Sequence, residues 1–217
     1  LIQHIVRGQK QAAYAWVPPG ILDKATGRDF RAEGGNLIAE DAAKARQLLQ
    51  EAGYDADHPL PEVNILFNTS EIHKAIAEAM QAMWKENLGA DVQLTNQESK
   101  VFMASRSQGE YQIARASWIA DYSDPMSFLD VFDDEENDAQ YHNPAYHELI
   151  QKAKTTNNEV LRMQYMHEAE QKLFDDCVII PIYYTTQPYA AQPYIKGYHW
   201  SSLGLVDFKE AYIEKEN

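Results

Sequence analysis

The sequence predicts an α/β protein built from βαβ units on a mainly parallel sheet, and three observations carry that reading. Short β-type runs and amphipathic helical runs alternate three times in succession between residues 63 and 118. Glycines fall where the helical periodicity stops, at Gly53 and Gly89. The 217 residues are 45% hydrophobic and 24% charged, enough to bury a sizeable core and too short for three domains.

The elements follow in order. After an opening rich in turn signals (Pro18-Pro19-Gly20, Gly27, Gly34-Gly35), the segment 41–52 puts Ala42, Ala45, Leu48, Leu49 and Ala52 on one helical face. Residues 63–67 read as a strand. Ser70 and Glu71 then open a long helix carrying Ile72, Ile76, Met80, Met83, Trp84 and Leu88. A strand at 92–94, a short helix at 99–107 and a strand at 111–118 complete the alternation.

Asp124-Pro125 is expected to turn the chain and cap a helix over 126–132. Helices follow at 145–154, after Pro144, and at 159–174, where Val160, Met163, Met166, Ala169 and Leu173 recur at helical spacing. Residues 178–184 read as an all-apolar strand, and only 207–213 hints at a helix in the Tyr- and Pro-rich remainder. The acidic run Asp133-Asp134-Glu135-Glu136 with Asp138 reads as a solvated loop, since no calcium-loop spacing accompanies it.

Nineteen Lys and Arg against 33 Asp and Glu give a formal charge of −14, which disfavours nucleic acid and anionic lipid surfaces. No apolar run approaches the roughly 20 residues needed to span a bilayer. The single cysteine, Cys177, has no internal disulfide partner and is expected to be a buried, inert thiol. Leu1 begins in mid-pattern without a signal peptide, so the start is expected to be a cut.

Open α/β sheets bind ligands beyond the carboxyl ends of their strands. There the sequence places Arg115, Trp118, Asp121, Tyr122, Asp124 and Pro125 within eleven residues. A carboxylate facing a cleft accepts an ammonium and an Arg fork grips a carboxylate, a combination suited to an amino acid or peptide. The same residues would equally serve with Arg115 and Asp121 paired to each other or to surface groups and Trp118 in the core. His73 reads either as a first-turn helix residue or as a ligand contact, and Arg106 as a solvated charge at a helix C-terminus. No nucleophile-base pair, metal spacing or phosphate loop is visible, so neither cofactor nor metal is expected. The alternative in another class is a hydrolase using the carboxylates Asp121 and Asp124.

Residues 115–129, RASWIADYSDPMSFL, resemble the oligopeptide-binding proteins of bacterial ABC peptide importers, of the dipeptide, oligopeptide and nickel type. The similarity runs in order through AKARQLLQEAGYD (43–55), NILFNTSEIHKAIAEAMQAMWKENLGADVQLTNQE (64–98) and AEQKLFDDCVIIPIYY (169–184). It implies the C-terminal lobe of a two-lobed, type II periplasmic-binding-protein fold over 1–185. Residues 186–217 would then be a return segment joining a first lobe absent from the chain. It further implies capture of oligopeptides on the extracytoplasmic face of the cell envelope, without catalysis, and delivery to permease subunits. Membrane contact would come only through the permease or a lipid anchor outside this chain.

By the same resemblance Asp121 falls where the family holds the peptide ammonium. Arg115, Arg106 and His73 fall where it meets the peptide carboxylate, and Trp118 shapes a side-chain pocket. Ser99 stands where relatives carry a large aromatic, so one pocket wall is expected to be open.

Overall fold

The protein, described by a computed structural model, is structurally defined over residues 1–6, 10–201 and 203–214. Ser202 and residues 7–9 and 215–217, among them parts of the opening and of the return segment, lie outside the described residues. A short π-helical turn, Ile2–Val6, comes first. The elements then run β1 (Gln11–Ala12), α1 (Phe30–Gly34), α2 (Ala42–Glu51), β2 (Val63–Asn68), α3 (Glu71–Leu88), β3 (Val92–Gln97), α4 (Ser99–Ser107) and β4 (Ile113–Ala114). They continue α5 (Met126–Leu129), a 3₁₀ turn Asp130–Phe132, α6 (Pro144–Thr155), α7 (Glu159–Asp175), β5 (Tyr183–Tyr184), β6 (Ile195–Lys196), β7 (His199–Trp200), β8 (Val206–Asp207) and β9 (Tyr212–Ile213).

The chain divides into two compact units. The first comprises Leu1–Gly8, Ile38–Ser117 and Asp134–His142. Its centre is a parallel three-stranded sheet of order β3-β2-β4. The consecutive burial of Ile65, Leu66 and Phe67 marks β2 as the middle strand, covered on both faces. Crossover helices α3 and α4 supply Ile76, Ala77 and Phe102 to that core. Helix starts are capped as their sequences dictate: the Asp41 carboxylate accepts from Lys44 N at 2.8 Å and Glu98 from Lys100 N at 2.9 Å. Gly89 ends α3 in the left-handed region at φ 69°, with its N–H on the Lys85 carbonyl.

The second unit comprises Gln9–Leu37, Trp118–Asp133 and Asn143–Asn217. Helices α6 and α7 pack together, each opened by an Asn whose side chain takes two backbone N–H groups. Val17, Phe30, Leu129, Ile150, Met166 and Leu173 form its buried centre. The described remainder of the tail is organised by antiparallel pairs of two-residue strands, β1 with β5, β6 with β9 and β7 with β8.

The α/β class and the parallel βαβ core stand as read from the sequence, and five local expectations do not. The strand expected over 111–118 pairs only at Ile113–Ala114. That expected over 178–184 pairs only at Tyr183–Tyr184, since Pro181 has no N–H to donate to a ladder. The helix hinted at 207–213 is instead β8, a turn and β9. Cys177 is exposed rather than buried, because it follows α7 at φ 53°, where the helix-ending turn lifts it from the core. The apolar face of α2 is also less covered than its periodicity implied: none of its residues is buried and Leu48 stays exposed.

Candidate functional site

In the first unit the carboxyl ends of β2 and β3 stop side by side, with Asn68 in register with Gln97. Asn68 Oδ1 and Gln97 Oε1 at those ends, His73 Nδ1 in the first turn of α3 and Arg106 Nε in the last turn of α4 are buried without a hydrogen-bond partner. The Gln97 amide nitrogen donates to Ser105 Oγ at 3.2 Å, which orients its oxygen away from α4. Buried polar atoms are nearly always satisfied, so four in adjoining loops and helix turns mark a place built for water or a ligand.

His73 lies in the first turn of α3 and Arg115 follows β4, its backbone N–H donating to the Leu66 carbonyl at 2.8 Å. Burial lowers the His73 pKa and the Arg115 charge lowers it further, against the influence of the nearby Asn68 backbone, which raises it. The imidazole is therefore neutral near pH 7, able to donate from one nitrogen and accept at the other. Arg106, in the last turn of α4, pairs with Asp138 at 2.6 Å and lies over the Phe102 ring at 5.7 Å. It is thus held in place rather than solvated. Ser99 is exposed at the start of α4, at the position where the wall was expected to open.

In the second unit Trp118 and Asp121 sit on the loop leading to α5. Trp118 is 40% exposed, with its indole N–H donating to the Ser127 carbonyl at 2.7 Å. Asp121 is exposed, and among the described residues nothing meets its carboxylate. Trp118 is therefore not the core residue that the alternative reading made of it.

Asp124 is buried. Arg162 forks its carboxylate at 2.8 and 3.0 Å, Lys24 approaches at 3.1 Å, and its Oδ1 accepts from Met126 N at 3.0 Å. Burial pushes its pKa up, but the Arg162, Met126 and Lys24 bonds outweigh that and hold it below the ordinary value. A carboxylate so committed is a structural clamp, and nothing supports its use with Asp121 as a hydrolytic pair. Tyr122 donates to Asp130 at 3.1 Å, and burial with the Asp130 charge raises its pKa to about 12.

Asn68 and Gln97 were missed in the sequence, although the strand-end rule points at both positions. Ser127 and Arg162 carried no signal, being an unremarkable serine and one of many helix charges.

Residues 1–140 match the model of the bacterial extracellular solute-binding proteins, family 5 middle. The chain is 34% identical over 214 residues to the dipeptide-binding protein DppE of Bacillus subtilis, covering 97% of this chain and 39% of the relative. It is 41% identical over 157 residues to the periplasmic oligopeptide-binding protein OppA of Escherichia coli, covering 71% of this chain and 29% of that protein. The crystal structure of Haemophilus influenzae OppA in complex with RPPGFSPFR superposes with a TM-score of 0.74 at 30% identity, over 99% of this chain and 42% of that one. The chain therefore spans about two fifths or less of the length of these relatives. Such neighbours have the type II periplasmic-binding-protein fold. By the family match, its identity to these relatives and its fold, the chain belongs to the bacterial extracellular solute-binding proteins of family 5.

Proposed function

We propose that the chain is part of an extracytoplasmic receptor that captures oligopeptides and passes them to the permease of an ABC importer, without chemical change to the ligand. The observation that carries this is the row of unpartnered buried polar atoms at Asn68, His73, Gln97 and Arg106. An exposed lone carboxylate discriminates little in a chain of charge −14. Buried polar groups left open are costly, and a polar, extended guest or its bridging water satisfies them. The family match supports the reading, and OppA and DppE are peptide-binding proteins by name.

In this reading Asp121 takes the peptide ammonium, and Trp118 lines the pocket beside it. His73, Arg106 and Arg115 meet the carboxylate, directly or through water. Residues 1–185 are the C-terminal lobe, and 186–217 return toward the remainder of the receptor. A receptor that accepts many sequences places its affinity in the main chain and termini rather than in side chains.

Isothermal titration of the full-length protein with a peptide length series tests the proposal. Micromolar or tighter binding of free peptides is expected, with ligand recovered intact. Asp121→Ala should weaken free peptides by roughly thirtyfold or more and N-acetylated ones little. Absence of binding across the series, or turnover of the peptide, overturns it.

A further inference from the structure

The loop that presents Trp118 and Asp121 has little packing to hold it. Ile119 is 73% exposed, and Asp121, Tyr122 and Ser123 are exposed as well. Hydrogen bonds must supply what burial does not, and two of them converge on one residue. The Asp121 backbone N–H donates to Ser127 Oγ at 2.8 Å, and the Trp118 indole N–H donates to the Ser127 carbonyl at 2.7 Å.

Ser127 is itself 1% exposed and sits in the first turn of α5. A serine there ordinarily turns its hydroxyl onto its own helix's backbone. This one instead reaches back six residues to the loop. Ser127 N donates in turn to the Asp124 carbonyl at 3.1 Å, and Asp124 is the carboxylate forked by Arg162 of α7. A continuous line of bonds thus runs from α7 through Asp124 and Ser127 to the Trp118 indole and the Asp121 backbone.

We infer that Ser127 is the positioning residue of the ammonium subsite, holding the Trp118 ring and the Asp121 backbone relative to each other before any ligand arrives. This rests on the assignment of Asp121 to the peptide ammonium. An ammonium is attracted by a carboxylate and by the face of an indole, and both attractions depend on placement. A loop already ordered spares the ligand the entropy of ordering it.

The test compares tri-alanine with N-acetyl-tri-alanine, titrated into the full-length protein, and reads the ratio of their affinities. Ser127→Ala should reduce that ratio roughly three- to tenfold, while Ser127→Thr, which keeps the hydroxyl, should leave it near the parent value. A Ser127→Ala variant that weakens both peptides in parallel has lost structure only, and the inference falls. Asp121→Ala is run alongside: if it leaves the ratio untouched, the ammonium assignment itself is wrong. Hydrogen exchange in the unsubstituted protein is independent of how any variant folds. There the Asp121 amide should be protected well beyond an open loop, and exchange at the open-loop rate overturns the inference.

Discussion

Arg31 and Glu170, 139 residues apart in the sequence, meet at 2.6 Å with both side chains buried. The same Glu170 oxygen accepts the backbone N–H groups of Trp16 and Val17 at 2.9 and 2.8 Å. One carboxylate thus ties the opening of the second unit, α1 and α7 to a single point.

Removing that carboxylate leaves a buried guanidinium, the buried Val17 amide and the part-buried Trp16 amide without an acceptor. Glu170→Ala should cost about 3–5 kcal/mol, measured as the shift in urea unfolding. Buried ion pairs can often be replaced by apolar residues without loss. The double change Arg31→Met with Glu170→Leu should not recover stability here, because the Trp16 and Val17 amides each still lack a partner worth about 1–3 kcal/mol.

His167, stacked flat on Phe30 at 3.8 Å, gives the protein an acid sensitivity of defined sign. Burial lowers its pKa from 6.5, aided by the Arg31 charge and opposed by Glu170 and Asp23. The unfolded chain therefore binds the proton more readily than the folded one. This stability is fully present above the unfolded value of 6.5 and is lost as pH falls from there toward the lowered folded value. The urea midpoint should drop between about pH 7.5 and pH 5.5, and His167→Gln should flatten that slope.

Asp124 behaves in the opposite range. Its folded pKa lies below 3.8, so its contribution is present above that value and lost as pH falls through the folded one. Arg162→Met should destabilise by about 2–3 kcal/mol in thermal unfolding near neutral pH. It should also raise the apparent pKa of Asp124, read by carboxyl carbon chemical shifts.

Gly197 lies between β6 and β7 at φ 72°, and a methyl group on it would collide with the Glu210 backbone carbonyl. Backbone cannot step aside as a side-chain tip can. Gly197→Ala should cost about 1–3 kcal/mol locally. Protease cleavage in the 195–213 region should accelerate, while the amides of β2 and β3 keep their exchange protection.

The long periodic elements were legible in the sequence: α3 runs from Ser70 to its stop at Gly89, α6 and α7 lie within a residue of the periodic runs at 145–154 and 159–174, and the β2–α3–β3–α4 succession dictates a parallel sheet. The short strands were not. Apolar runs such as 178–184 satisfy a strand pattern whether or not a partner lies alongside, and pairing is a property of the partner. Within the candidate site the charged residues were legible because charge at a strand end is conspicuous. The structure brings His73 and Arg115 within electrostatic reach of each other and hangs Trp118 and Asp121 on Ser127. The neutral Asn68 and Gln97 became informative only when their oxygens proved buried and unanswered.

The two-residue ladders of β6 with β9 and β7 with β8 set a limit on how the molecule comes apart. So few rungs return little enthalpy for the chain they immobilise, whereas β2 is knitted along six residues to β3. Deuterium should reach Lys196 and Trp200 long before Leu66 or Thr95, and calorimetry should resolve a broad early shoulder ahead of one sharp endotherm.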